Sequence, residues 1–66
     1  METWTASQIG QSHGAYSGRR VNFVSATGRD VDGTLTRSDL PQRRFTRLTV
    51  DGLTHEVPNT STVKVY

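Results

Sequence analysis

The chain has 66 residues, of which 32% are hydrophobic and none is cysteine, and its formal net charge is +2. This length allows one small domain, because a domain of this size buries only about 60% of the surface that its unfolded chain exposes. The composition excludes disulfides and thiolate metal sites, and no apolar run is long enough for a transmembrane helix or a secretory signal. We therefore expect a small cytoplasmic domain that is not membrane-bound.

The first residues differ in composition from the rest of the chain. Residues 1–18 contain three of the six glycines and a single charged side chain, and their apolar residues follow no helical or strand period. Thr5 or Ser7 would cap one helical turn, and Gly10 would end it. We expect an irregular N-terminal arm over residues 1–18, packed on the domain or ordered only on a partner, and a folded domain over residues 19–66.

The folded domain begins with a predicted hairpin. The first strand is expected at residues 20–25 and the second from about residue 29 to 37, because β-branched and aromatic residues alternate there between turn residues. Gly28 fits the turn position that needs a positive φ. The register places Phe23 opposite Val31, and it places Gly33 inside the second strand, where a glycine indicates a bend or a close backbone approach.

The most specific local pattern is Asp51-Gly52 between two runs of alternating residues, which predicts a two-residue type I′ hairpin. Counting outward from the turn pairs Val50 with Leu53 and Arg47 with Glu56. One face of this hairpin is then apolar, and the other carries an ion pair, as a half-buried sheet requires. The residues expected on the apolar face are Leu48, Val50, Leu53, His55 and Val57.

A last strand is predicted at Thr62–Tyr66, after a corner at residues 58–61. Five short strands without a crossover helix predict an all-β, antiparallel, bent five-stranded barrel, since closure removes exposed edges. Val63, Val65 and Tyr66 would offer a free strand edge to a neighbouring copy. We therefore expect a homo-oligomer.

One stretch resembles a known family. The spacing Val21-x-Phe23-x4-Gly28-x2-Val31-x-Gly33-x-Leu35-x3-Asp39 is similar to the first sequence motif of the Sm and Sm-like RNA-binding proteins. The resemblance implies a strongly bent five-stranded barrel, often preceded by an N-terminal helix and often assembled into a ring. Among the family's functional positions it assigns only Asp39, because the second motif is replaced here by Glu56-Val57-Pro58-Asn59.

Basic residues concentrate around one predicted loop. Residues 37–44 carry three arginines and a proline, and Phe45 follows on the polar face of the next strand. Arginine binds phosphate with a planar fork, and an exposed ring stacks on a base. The candidate nucleic-acid-binding residues are Arg37, Asp39, Arg43, Arg44, Phe45 and Arg47. The alternative is a solvated loop without a ligand, in which Phe45 packs on Pro58.

No catalytic arrangement is visible, since the chain lacks a nucleophile motif, a phosphate loop and cysteine. Its two histidines have no spaced carboxylates that would complete a metal site. We expect a protein that is not an enzyme and that has no cofactor or metal. The first hypothesis is a small nucleic-acid-binding barrel, a regulatory or accessory factor. The alternative is a protein–protein interaction module, such as a phage or plasmid-borne adaptor, inhibitor or virion component, that binds by strand addition.

Overall fold

The computed structural model describes residues 1–66 and contains six strands and one short helix. The elements are β1 (Glu2–Thr5), α1 (Ala6–Gly10), β2 (Arg20–Val24), β3 (Asp30–Ser38), β4 (Phe45–Val50), β5 (Leu53–Pro58) and β6 (Thr62–Val65). The strands form one antiparallel sheet in the order β1-β6-β2-β3-β4-β5. The predicted all-β class is confirmed. The predicted number of strands is wrong, because the N-terminal segment adds a sixth.

The sheet is open, with β1 and β5 at its two edges. One backbone hydrogen bond, from Ala26 N to Glu56 O at 2.8 Å, links the turn after β2 to β5. This link brings the two halves of the bent sheet together on one side but does not continue as a strand ladder. The strand pairing therefore does not show the closure that a barrel requires.

The β4–β5 hairpin has the predicted register. Asp51 and Gly52 have φ values of 50° and 81°, both positive as a type I′ turn requires. Val50 pairs with Leu53, and the same ladder pairs Arg47 with Glu56. Leu53 was expected on the apolar face, but its exposed fraction is 59%, because it lies beside the turn on an edge strand.

The β2–β3 hairpin also has the predicted register, with Phe23 opposite Val31 and Val21 opposite Gly33. A Cβ atom on Gly33 would overlap the carboxylate of Asp51, and it would lie 2.8 Å from a side-chain methyl of β4. This confirms the close approach predicted at Gly33. Through this close approach at Gly33, β3 contacts Asp51, the first residue of the turn between β4 and β5.

The N-terminal segment is regular over residues 2–10: the predicted helical turn is present, capped by Thr5 and ending at Gly10, and a strand, β1, precedes it where irregular chain was expected. Strand β1 pairs with β6, with Trp4 opposite Val63. Helix α1 has a capping box, in which Gln8 N donates to Thr5 Oγ1 (3.1 Å) and Thr5 N donates to Gln8 Oε1 (2.8 Å). Strand β1 was not predicted because four residues are too few for a strand period to be visible, and because its partner strand lies at the other end of the chain.

The core lies between the inner face of the sheet and α1. Ala6 and Ile9 of α1 are fully buried, so the helix covers the core where the sheet does not. Helix α1, the one helix of the structure, lacks the length and the apolar composition of a membrane-spanning helix. The eleven buried hydrophobic residues are Ala6, Ile9, Val21, Phe23, Val31, Leu35, Leu48, Val50, Val57, Val63 and Val65.

Strand β6 is an inner strand, with β1 on one side and β2 on the other. The edge that was expected to recruit a neighbouring copy is therefore occupied within the chain. Val63 and Val65, expected to face inward, are fully buried. Any self-association by strand pairing would use β1 or β5 instead.

Candidate nucleic-acid interface

The predicted site lies around residues 39–44, here called the basic loop, which connects β3 to β4. A bulge between Leu35 and Arg37 shifts the β3 register, so that Arg37 lies opposite Thr49. In β4 the buried residues are Thr46, Leu48 and Val50, which leaves the alternate positions on the outer face. The structure thus places Arg37, Phe45 and Arg47 together on the outer face of the sheet, beside the basic loop.

Two of the predicted arginines are already paired with carboxylates. Arg37 Nε lies 3.0 Å from Asp39 Oδ1, and Arg47 Nη2 lies 3.7 Å from Glu56 Oε2. Both pairs are exposed, and exposed ion pairs contribute little to stability. Asp39, the residue assigned by the Sm resemblance, is in this structure the partner of Arg37.

Arg43 and Arg44 differ from the other arginines at this site. Both are exposed, and neither takes part in any of the four ion pairs of the molecule. Each guanidinium offers five N–H donors in a rigid fork that matches phosphate. These two adjacent side chains are the strongest unneutralised positive charge on the basic loop.

Phe45 lies at the start of β4, and its exposed fraction is 36%. Its cross-strand neighbour is Pro58 of β5. The ring is therefore partly exposed, and the strand pairing places Phe45 directly across from Pro58. Leu40, in the basic loop itself, is 66% exposed and adds a second apolar group to the surface.

Sequence reasoning missed the residue that anchors the basic loop. Asn59 Nδ2 donates to Gln42 O at 2.8 Å, and Asn59 N donates to Arg44 O at 2.9 Å. Its Oδ1 accepts from the hydroxyl of Thr46 at 2.7 Å. Thr46 is fully buried, and a buried hydroxyl needs a partner, so a threonine at an inward strand position was the available signal.

The C-terminal end of α1 packs closely against the basic loop and β4. A Cβ atom on Gly10 would lie 2.7 Å from Asp39 O, 2.7 Å from Thr46 Cγ2 and 3.1 Å from Pro41 Cδ. Only a residue without a side chain allows the helix to come this near. The N-terminal segment thus contacts the candidate site directly, through backbone packing.

The end of the sheet opposite the basic loop is rich in carboxylates. A cleft of about 320 Å³ lies between the two hairpins, and Asp30, Asp32 and Asp51 contribute to its lining with Arg29 and His55. Its carboxylates outnumber its cations, which does not suit a phosphate. No group of three or more histidine, cysteine or acidic side chains is arranged to hold a metal ion.

Comparison with protein-family models, curated proteins and solved structures finds no match to this chain. The resemblance to the first Sm motif therefore stays a prediction based on residue spacing.

Proposed function

We propose that this protein binds nucleic acid through the basic loop and the adjoining outer face of β4, as a small regulatory or accessory factor. The observation that supports the proposal most is the adjacent pair Arg43 and Arg44. Both side chains are exposed and free of carboxylates, and they lie on a loop with defined backbone hydrogen bonds. Phosphate contacts of this kind supply most of the affinity in sequence-independent binding.

The surrounding residues extend the same surface. Arg37 and Arg47 add two further guanidinium groups once phosphate replaces their carboxylate partners. Phe45 offers a partly exposed ring next to these charges, and base stacking on such a ring needs an unstacked base. The surface therefore favours single-stranded over duplex nucleic acid. An Sm-like barrel assembled from several copies, as the sequence resemblance implies, would repeat this surface around its edge.

The proposal is tested by fluorescence polarisation with random single-stranded oligonucleotides over a series of salt concentrations. In the double variant Arg43→Ala/Arg44→Ala we expect weaker binding to every sequence and a salt slope that is smaller by about two. The melting temperature should barely change, because exposed charges contribute little to stability.

The chain offers a matched control. Arg29 and Lys64 are also exposed and unpaired, but they lie outside the interface. The variant Arg29→Ala/Lys64→Ala therefore removes the same charge and should leave the salt slope close to that of the wild type. The proposal is wrong if the wild type shows no salt-sensitive binding, or if both double variants lose affinity equally.

A second candidate function is a protein–protein interaction module, and the exposure of Leu40 favours it. An exposed leucine beside two free arginines suits an acidic peptide with an apolar anchor as well as it suits a nucleic acid. A pull-down from the native host, with and without nuclease, separates the two candidates. A partner that is retained after nuclease treatment, together with the absence of oligonucleotide binding, would favour the module.

A further inference from the structure

Asn59, which lies outside the basic loop, connects this loop to β4 and to helix α1. Its side chain and backbone N–H bind Gln42, Arg44 and Thr46, as described above, and its carbonyl oxygen accepts from Ser7 N of α1 at 3.1 Å. Four hydrogen bonds from one residue thus join the basic loop, β4 and the N-terminal helix. No other residue contacts all three by hydrogen bonds.

The chemistry of the side chain is specific to asparagine. A carboxamide donates through nitrogen and accepts through oxygen at once, and here each end has a partner. Aspartate would lose the donor that binds the carbonyl of Gln42. Alanine would lose both bonds and would leave the buried hydroxyl of Thr46 without an acceptor, which is unfavourable.

We propose that Asn59 is a positioning residue for ligand binding. It fixes the shape of the basic loop before any ligand arrives, so that Arg43 and Arg44 meet phosphates without a loss of loop entropy on binding. The inference rests on the proposed function, since it assigns the loop's order a role in affinity. Asn59 itself does not need to touch the ligand.

The first measurement uses the free protein. Backbone ¹⁵N order parameters of the N–H groups of residue 40 and residues 42–44 should resemble those of the strands in the wild type and should fall in Asn59→Ala. A matched control is Asn22→Ala, because Asn22 Nδ2 also donates twice, to Asp30 Oδ1 at 3.0 Å and to Val31 O at 3.1 Å. That variant should leave the order of the basic loop unchanged.

The second measurement is the affinity for the same single-stranded oligonucleotides. Asn59→Ala should weaken binding by about five- to tenfold at every salt concentration, the effect of losing preorganisation in a short loop. Its salt slope should equal that of the wild type, because both arginines remain. A variant that merely unfolds part of the domain would change the slope or the melting curve instead.

A milder variant keeps the test decisive if Asn59→Ala does not fold. Thr46→Val keeps a similar side-chain shape and removes the hydroxyl that donates a hydrogen bond to Asn59 Oδ1. It should therefore also lower the affinity for oligonucleotides, by about two- to threefold. The inference is overturned if the wild type binds while the foldable variant keeps wild-type loop order or wild-type affinity. In that case the proposed function stands. Absence of salt-sensitive binding by the wild type overturns both.

Discussion

The two ends of β4 are built in different ways. At one end, Asp51 and Gly52 adopt the positive φ values that define their own turn, and the next strand follows directly. At the other end, the basic loop depends on Asn59 and Gly10, which lie far from it in sequence. Both ends have defined backbone hydrogen bonds or turn geometry. The information that specifies the conformation is local at the hairpin and distributed over the chain at the basic loop.

The two ends also differ in charge. Asp51 and the carboxylates at the start of β3 line the cleft at the Val50 end of β4, here called the hairpin end. Arg43 and Arg44 lie before the Phe45 end, here called the loop end. The five residue steps of β4 separate them by about 17 Å at about 3.4 Å per residue. The charges therefore favour an anion at the loop end and not at the hairpin end. The basic loop, which depends on contacts with Asn59 and Gly10, is also the part of the molecule to which the function is proposed.

The largest expected effect is at the support of the loop end. Gly10→Ala should lower the free energy of unfolding by about 1–3 kcal/mol, because its new methyl group meets the backbone of Asp39 and the side chain of Thr46. Urea denaturation measures the change. Gln11→Ala, at the next and exposed position, should remain close to wild type. If Gly10→Ala has the same free energy of unfolding as the wild type, α1 does not pack closely against the basic loop.

The corresponding change at the hairpin end is Gly52→Val. It should cost on the order of 1–2 kcal/mol or more, since a β-branched residue is strained at a positive φ. Gly52→Asn is the control, because asparagine tolerates this conformation far better. The comparison between the two ends predicts that oligonucleotide binding by the valine variant is unchanged while it remains folded. A coupled loss of affinity would show that the two ends are not independent.

The sequence predicted the hairpin end well because its determinants are adjacent. Asp-Gly between alternating runs was enough to place Val50 opposite Leu53, and the pairing of Arg47 with Glu56 followed by counting. The same alternation correctly put Phe45 on the outer face. Local chemistry therefore specifies the register of the β4–β5 hairpin and the outward position of Phe45.

The remaining features could not be predicted because they depend on distant contacts. The bond from Asn59 to Gln42 spans 17 residues, and nothing in the loop's own sequence indicates it. The pairing of β1 with β6 joins Glu2 to Val65, almost the whole chain apart. The register shift at the bulge, which places Arg37 of β3 opposite Thr49 of β4, likewise depends on the pairing of two strands and was not predicted.

The third prediction concerns the ring at the loop end. Phe45→Ala should weaken binding of single-stranded oligonucleotides by about fivefold or more, and that of duplexes by less, because only an unstacked base offers its face to the ring. Polarisation assays with matched single strands and duplexes measure the difference. Tyr66→Ala removes an aromatic that is 50% exposed outside the interface and should leave both affinities unchanged. Equal losses on both ligands would exclude stacking.

The smallest effect is expected in the N-terminal segment that supports the loop end. The Trp4 indole donates to Glu2 Oε1 at 3.1 Å, and Arg19 Nη2 donates to Glu2 Oε2 at 3.2 Å. These hydrogen bonds hold the pKa of Glu2 below its ordinary value of 4.5 in the folded protein. A carboxylate with a lowered folded-state pKa stabilises the fold above its unfolded-state pKa, and that contribution disappears as the pH falls through the folded-state value.

Glu2→Gln should therefore reduce the melting temperature slightly at neutral pH and have less effect as the pH falls below 4.5, where the wild type loses the same carboxylate. The effect is small because the side chain is exposed and its ion pair is screened. Melting curves between about pH 3 and pH 7 measure the convergence of the two proteins. Since β1 leads directly into α1, the loss should appear first in amide exchange of the loop end and not at the Asp51-Gly52 turn. A constant difference between the two proteins at every pH would mean that the carboxylate charge of Glu2 does not hold β1 in place.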